Sequence, residues 1–133
     1  MKTSSTQEIK FVSKGWGFEK WIHNSELYCG KLLYFAKGKQ CSWHYHQLKD
    51  EVFYVQSGKI KVVWTDDLET AKAAGNDVVH HRGPSGRRVL EKGDNFHVPP
   101  GRVHQIIALE DTELFEFSTQ HFDEDSYRII KGD

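Results

Sequence analysis

The chain has 133 residues, 38% hydrophobic and 13% aromatic, with 18 basic and 19 acidic residues and a net charge of −1. That composition suits one globular domain and argues against a disordered chain or a basic nucleic-acid surface. No apolar run approaches the roughly 18 residues of a membrane helix. The start, MKTSSTQEIKFVSK, is polar and carries no signal-peptide pattern, and only Cys29 and Cys41 are present. The expectation is a cytoplasmic protein with reduced thiols.

Residues 1–8 are polar and read as a flexible arm ahead of one domain spanning 9–133. Short runs rich in Val, Ile, Phe, Tyr and Trp then follow one another. They are KWIH, LYCGKLLYFA, CSWHYH, EVFYVQ, KIKVVWT, RRVLEK, NFHVP, VHQIIAL and TELFEFST. Breaks fall at Gly38, Gly58, Gly93 and the PPG of Pro99–Gly101. In KIKVVWT, Ile60, Val62 and Trp64 share one face and Lys59 and Lys61 the other. The fold class is therefore all-β, a sandwich or barrel of antiparallel strands.

One stretch departs from this pattern. DDLETAKAAGN has good helix formers, ends at Gly75, and sets Asp66 three residues before Glu69, as in a capping box. A short helix within a long loop is expected, with DVVHHRGPSGRR continuing as loop.

The chemistry concentrates in GKQCSWHYHQLKDEVFYVQSG. Residues two apart on a strand share a face, so His44 and His46 project the same way and Trp43 and Tyr45 the other. The QLKD turn would return the chain antiparallel and set Glu51 beside the histidine pair. Two imidazoles and a carboxylate on one interior surface suit a divalent transition metal. Further on, His104 opens the strand after the PPG turn and is placed to act as a fourth ligand from across a barrel.

These residues resemble the cupin family. Its first motif matches Gly38, His44, His46, Glu51 and Gly58, and its second matches Gly93, Pro99, Gly101 and His104, with Ala108 where the family often has Asn. The resemblance implies a small single-domain jelly-roll barrel. It also implies one metal ion (Zn, Mn, Fe or Ni) held by His44, His46, Glu51 and His104. It implies a homodimer as well.

A finer resemblance is to the cupin-type mannose-6-phosphate isomerases. KGWGFEKWIHN is similar to their strand entry, and LFEFSTQHFDEDSYRI to their closing strand and acidic segment before an Arg. That group has an Arg soon after its histidine cluster, where this chain offers only Lys49 in QLKDE. Its substrate contacts are therefore not carried over. The resemblance implies a small-molecule substrate, a sugar or sugar phosphate; charge balance and the lack of a long apolar run lead to no expected nucleic-acid or membrane partner.

Isomerisation would need a proton-shuttling base. Glu116, between Phe115 and Phe117, is the catalytic candidate if the phenylalanines face outward; otherwise it is a surface carboxylate. His97 faces either the site or the outside, and Lys31 either the lumen or solvent. His80, His81, Arg82, Arg87 and Arg88 read as either a phosphate contact or a solvated loop. Cys41, three residues before His44, is expected on the opposite face. Two rival functions use the same ligands or the same barrel: an iron-dependent dioxygenase, and a non-catalytic small-ligand-binding module.

Overall fold

A computed structural model describes residues 8–74 and 85–133. Among the described residues, eleven strands run in chain order: β1 Lys10–Lys14, β2 Gly17–Asn24, β3 Cys29–Phe35, β4 Trp43–Tyr45, β5 Glu51–Ser57, β6 Lys59–Thr65, β7 Ser85–Glu91, β8 Asn95–Val98, β9 Val103–Ala108, β10 Thr112–Ser118 and β11 Tyr127–Ile130. One helix, α1 Leu68–Ala74, follows β6, and a 3₁₀ turn spans Asp123–Asp125. Every strand pairing among the described residues is antiparallel. A six-stranded sheet in the order β1-β2-β3-β10-β5-β8 faces a five-stranded sheet in the order β11-β4-β9-β6-β7. This is the expected all-β jelly roll.

The core lies between the sheets, where each strand turns alternate residues inward. Phe35, Val55, Ile60, Val62, Leu90 and Leu114 are almost wholly buried there. Trp16 stacks on Phe35 with ring centroids 3.9 Å apart. A second cluster of Trp43, Val63, Ala71 and Val103 lies under α1 on the outer face of the five-stranded sheet. Trp43 donates its indole N–H to the Ala71 carbonyl at 3.1 Å, so α1 seals the back of the strand that carries the histidines.

The motif glycines sit where the backbone demands them. Gly58 has φ +91°, and a Cβ there would come within 2.3 Å of the Asp111 carbonyl. Gly101 has φ +88° and donates its N–H to the His46 carbonyl at 2.7 Å, tying the second motif to the first.

Several expectations are corrected. Strands β1 and β11 are not among the predicted runs; both are short and mostly exposed, and neither alternates buried apolar with exposed polar residues over enough length to mark a strand. The helix cap is Asp67, not Asp66. Asp67 accepts from the Glu69 N–H at 3.1 Å and the Thr70 hydroxyl at 2.8 Å, while Asp66 takes the Arg102 guanidinium at 2.8 and 2.9 Å. Arg87 and Arg88 belong to β7 rather than a loop, exposed at an edge of the five-stranded sheet. His80, His81, Arg82 and the first seven residues lie outside the described residues.

Candidate metal centre in the barrel lumen

Cross-strand register builds the site. In the five-stranded sheet, Arg128 pairs with His44, His44 with His104, and His104 with Trp64, forming one row across four strands. In the six-stranded sheet, a row runs Lys10, Trp21, Lys31, Glu116, Phe53 and Phe96. Glu51 lies two residues before Phe53, on the same face. Apart from Trp64 and Phe96 at their ends, the rows line one cavity of about 640 Å³, which meets the apolar core at Leu33, Phe35, Phe53 and Ile106.

Glu51 does not reach the histidines by a hairpin. β4 and β5 belong to opposite sheets, so the Gln47–Asp50 turn crosses the barrel and Glu51 approaches from the far wall. The crossing is held by Asp125, whose carboxylate accepts the N–H groups of Gln47, Leu48 and Lys49 at 2.9–3.2 Å. Nothing in the local pattern of DEDSY marks that residue out.

His44, His46 and His104 bring one ring nitrogen each within 4.8 Å of one another. Each turns Nδ1 toward a main-chain carbonyl: His44 to Ser42 at 2.9 Å, His46 to Asp125 at 2.8 Å, His104 to Arg102 at 3.0 Å. A carbonyl only accepts, so Nδ1 carries the proton and the Nε2 lone pair is left free to ligate. Glu51 Oε2 lies 3.5 Å from His46 Nε2 and 3.6 Å from His104 Nε2. That oxygen is buried with no hydrogen-bond partner among the described residues. Two ligands about 2.1 Å from one tetrahedral ion stand about 3.4 Å apart. The donor set and its orphaned oxygen therefore fit a divalent transition metal.

The electrostatics agree. Burial lowers all three imidazoles, His44 well below its ordinary value, His46 to about 4 and His104 to about 3, so they are neutral and ready to ligate at pH 7. Burial raises Glu51 to about 8, with the charge of Glu116 adding to the effect. A cation beside it supplies the compensation that the protein alone does not.

Glu116 faces the lumen and is buried, as the outward Phe117 requires. Burial alone would raise its pKa. The charges of Lys49 and Lys31 and hydrogen bonds from Lys49 and Ser118 outweigh that and hold it well below the usual carboxylate range. Both hydrogen bonds, each 2.9 Å, use Oε2. Lys31 also points inward, 3.3 Å from Glu19 and over the Trp21 ring at 4.1 Å. In chain order, Cys29, Lys31, Leu33 and Phe35 are the buried positions of β3, so its period of two holds the signal for Lys31. His97 faces outward, bonded to Asp50 at 2.6 Å. Cys41 lines the cavity rather than the opposite face, because β4 begins only at Trp43 and alternation does not extend back to it.

A jelly roll with these donors gathered in its lumen defines a candidate metal-binding barrel, and one comparison gives the family. The family model "Cupin domain" matches residues 31–117, and the chain belongs to the cupin family. No curated protein sequence matches the chain. Among solved structures, oxalate decarboxylase from Bacillus subtilis is similar over 96% of this chain and 33% of its own, with 16% identity and a TM-score of 0.74. The capsular polysaccharide assembling protein CapF from Staphylococcus aureus matches over 96% of this chain and 34% of its own, at 18% identity and TM-score 0.69. KdgF from Halomonas sp. matches over 89% of this chain and 92% of its own, at 19% identity and TM-score 0.65. At these identities the likeness is one of fold. The chain spans about a third of the length of the CapF and oxalate decarboxylase chains.

Proposed function

We propose that this protein is a metal-dependent cupin enzyme acting on a small hydroxylated substrate, a sugar or sugar phosphate, by isomerisation or epimerisation. The observation that carries the reading is the convergence of three free Nε2 lone pairs and the unpartnered Glu51 oxygen on one lumen that also holds Lys49 and Glu116. His44, His46, Glu51 and His104 would hold the ion. A bound Zn, Mn, Fe or Ni ion supplies Lewis acidity toward a carbonyl and its enediolate.

The chain's own residues divide the remaining work. Glu116 Oε1 is the atom left to take a carbon-bound proton, since Oε2 is engaged twice. Lys49, hydrogen-bonded to Glu116 and 4.0 Å from Glu51, places a fixed positive charge beside the oxygen that becomes anionic. Arg128 and Lys10 on the cavity wall offer donors for a phosphate. The charged side chains in this lining, Lys31, Lys49, Glu116 and Arg128, favour a sugar substrate over the dioxygenase reading, which calls for fewer of them.

A second copy of the chain is proposed to cover the outer face of the six-stranded sheet, where Phe117 is 57% exposed and stacks on Phe115. A cytosolic setting goes with the two free, buried cysteines.

The test is turnover. The protein loaded in turn with Zn, Mn, Ni and Fe(II) is expected to interconvert at least one aldose–ketose phosphate pair, beginning with mannose 6-phosphate and fructose 6-phosphate. Inactivity across that panel with every metal, combined with oxygen uptake by the iron form, would overturn the reading in favour of the dioxygenase.

A further inference from the structure

His121 stands on the cavity wall in a setting that neither the metal ligands nor the Lys49–Glu116 pair explains. Its backbone is pinned on both sides by one side chain: Asn24 accepts the His121 N–H at 2.9 Å and donates to its carbonyl at 3.1 Å. Its ring lies edge-on to Trp21, with centroids 4.9 Å apart. Nε2 meets Asp123 Oδ1 at 2.9 Å. The other nitrogen, Nδ1, is buried with no hydrogen-bond partner among the described residues.

The tautomer follows from those contacts. A carboxylate accepts and does not donate, so Nε2 carries the proton and Nδ1 presents a lone pair. Burying that lone pair without a donor costs free energy, and a substrate hydroxyl in the cavity would remove the cost. The ring stays neutral: burial lowers its pKa, with Lys49 and Lys31 adding to the effect, and Asp123 opposes them. A neutral imidazole held by a carboxylate at one nitrogen and unpartnered at the other is the form that accepts a proton and stabilises the resulting cation.

We infer that His121, oriented by Asp123, is a proton-accepting catalytic residue whose Nδ1 takes the proton of a substrate hydroxyl, with Asp123 as its positioning residue. This rests on the reading of the lumen as an isomerase site. Aldose–ketose conversion moves two protons. The C2–H proton leaves to a carboxylate, its electron pair forms the C1=C2 bond, and the carbonyl π pair moves onto O1. The O2 hydroxyl proton then leaves to Nδ1 as the C2=O2 bond forms, C1 recovers a proton from the carboxylic acid, and the imidazolium returns its proton to O1. The atoms balance with no outside reactant, and Glu116 serves the carbon while His121 serves the oxygens.

Two measurements test this on the metal-loaded protein. With whichever sugar phosphate the wild type isomerises, His121→Gln is expected to lower kcat by about 10²-fold or more, the range of general acid–base catalysis, with metal content unchanged. Asp123→Asn is expected to give a smaller loss in kcat with KM nearly constant. Wild-type kcat in His121→Gln would overturn the inference.

The second readout needs no turnover. Imidazole ¹⁵N spectra are expected to give His121 as the Nε2–H tautomer, with Nδ1 shifting when 5-phosphoarabinonate, an enediolate mimic, is added. The Nδ1–H tautomer, or an unmoved Nδ1 on saturation with that probe, would overturn it. A wild type inactive on every sugar phosphate would sink the isomerase reading alone and leave His121 to be decided by these spectra.

Discussion

Lys49 Nζ lies 2.9 Å from Glu116 Oε2, and both side chains are at most 5% exposed. Two opposite charges in the barrel interior therefore depend on each other. Removing one partner leaves the other buried and uncompensated, which costs about 3–5 kcal/mol. Lys49→Met is expected to lose stability on that scale in urea unfolding. The double variant Lys49→Met/Glu116→Leu is expected to recover much of it. A single-variant loss below about 1 kcal/mol would mean the pair is hydrated and not a buried pair.

Metal content is the direct check on the four ligands. His46→Ala and His104→Ala each remove an Nε2 from the proposed donor set and are expected to strip most of the bound ion. Glu51→Gln removes the anionic oxygen and is expected to weaken binding while keeping the shape. Elemental analysis of protein purified without chelator measures this. About one ion per chain in the wild type and full retention in both histidine variants would rule out these ligands.

The gathering of these candidate donors was legible because strand alternation and motif spacing both point to it. His44 and His46 are two apart on a strand, and His104 follows a turn marked by two prolines and a glycine. The register that joins His44 to His104 was not legible, since β4 and β9 are 58 residues or more apart in sequence and pairing between distant strands leaves no local mark. For the same reason the crossing of the QLKD turn between sheets was misread as a hairpin, a local solution that the hydrophobic pattern equally permits. Asp125 and His121 are brought to the site by tertiary contacts alone, within a segment whose composition reads as polar surface.

Asp125 offers a sharper test of how the site is held. Its carboxylate gathers three successive N–H groups of the crossing turn, and its carbonyl accepts from His46. Asp125→Ala leaves those donors unpaired and is expected to cost about 2–3 kcal/mol, with metal affinity falling about tenfold through the loosened His46. Asp125→Asn keeps an accepting oxygen and is expected to lie between. Unchanged metal affinity in Asp125→Ala would show that the turn keeps its place without this clamp.

The proposed dimer is checked by mass in solution. Phe117 and Phe115 sit on a strand at the middle of the six-stranded sheet, so a charge there disrupts a flat apolar surface without touching the lumen. Wild type is expected to run as a dimer by light scattering, and Phe117→Glu as a monomer with its metal retained. A monomeric wild type at high concentration would rule out the dimer.

The pH dependence of the metal-free protein follows from the buried ionisable groups. His46 and His104 are lowered to about 4 and about 3 from 6.5, and His44 is lowered as well, so the unfolded chain binds more protons than the folded one below pH 6.5. Their contribution to stability is complete above 6.5 and is lost as the pH falls toward those folded values. Glu116, held low, adds to the same acid limb. Glu51 has the opposite sign. Burial raises it to about 8 from 4.5, so its contribution is complete below 4.5 and is lost as the pH rises through 8. Between 4.5 and 6.5 these three histidines, joined by His121, which burial also lowers, outweigh the single carboxyl, and above 6.5 Glu51 dominates, so stability is expected to peak near pH 6.5. Adding Zn or Mn holds Glu51 ionised and is expected to flatten the alkaline limb. Melting temperatures of chelator-treated protein from pH 4 to 9 measure both limbs, and a Tm that does not fall between pH 6.5 and 5 would show that the histidines are already protonated or solvated in the fold.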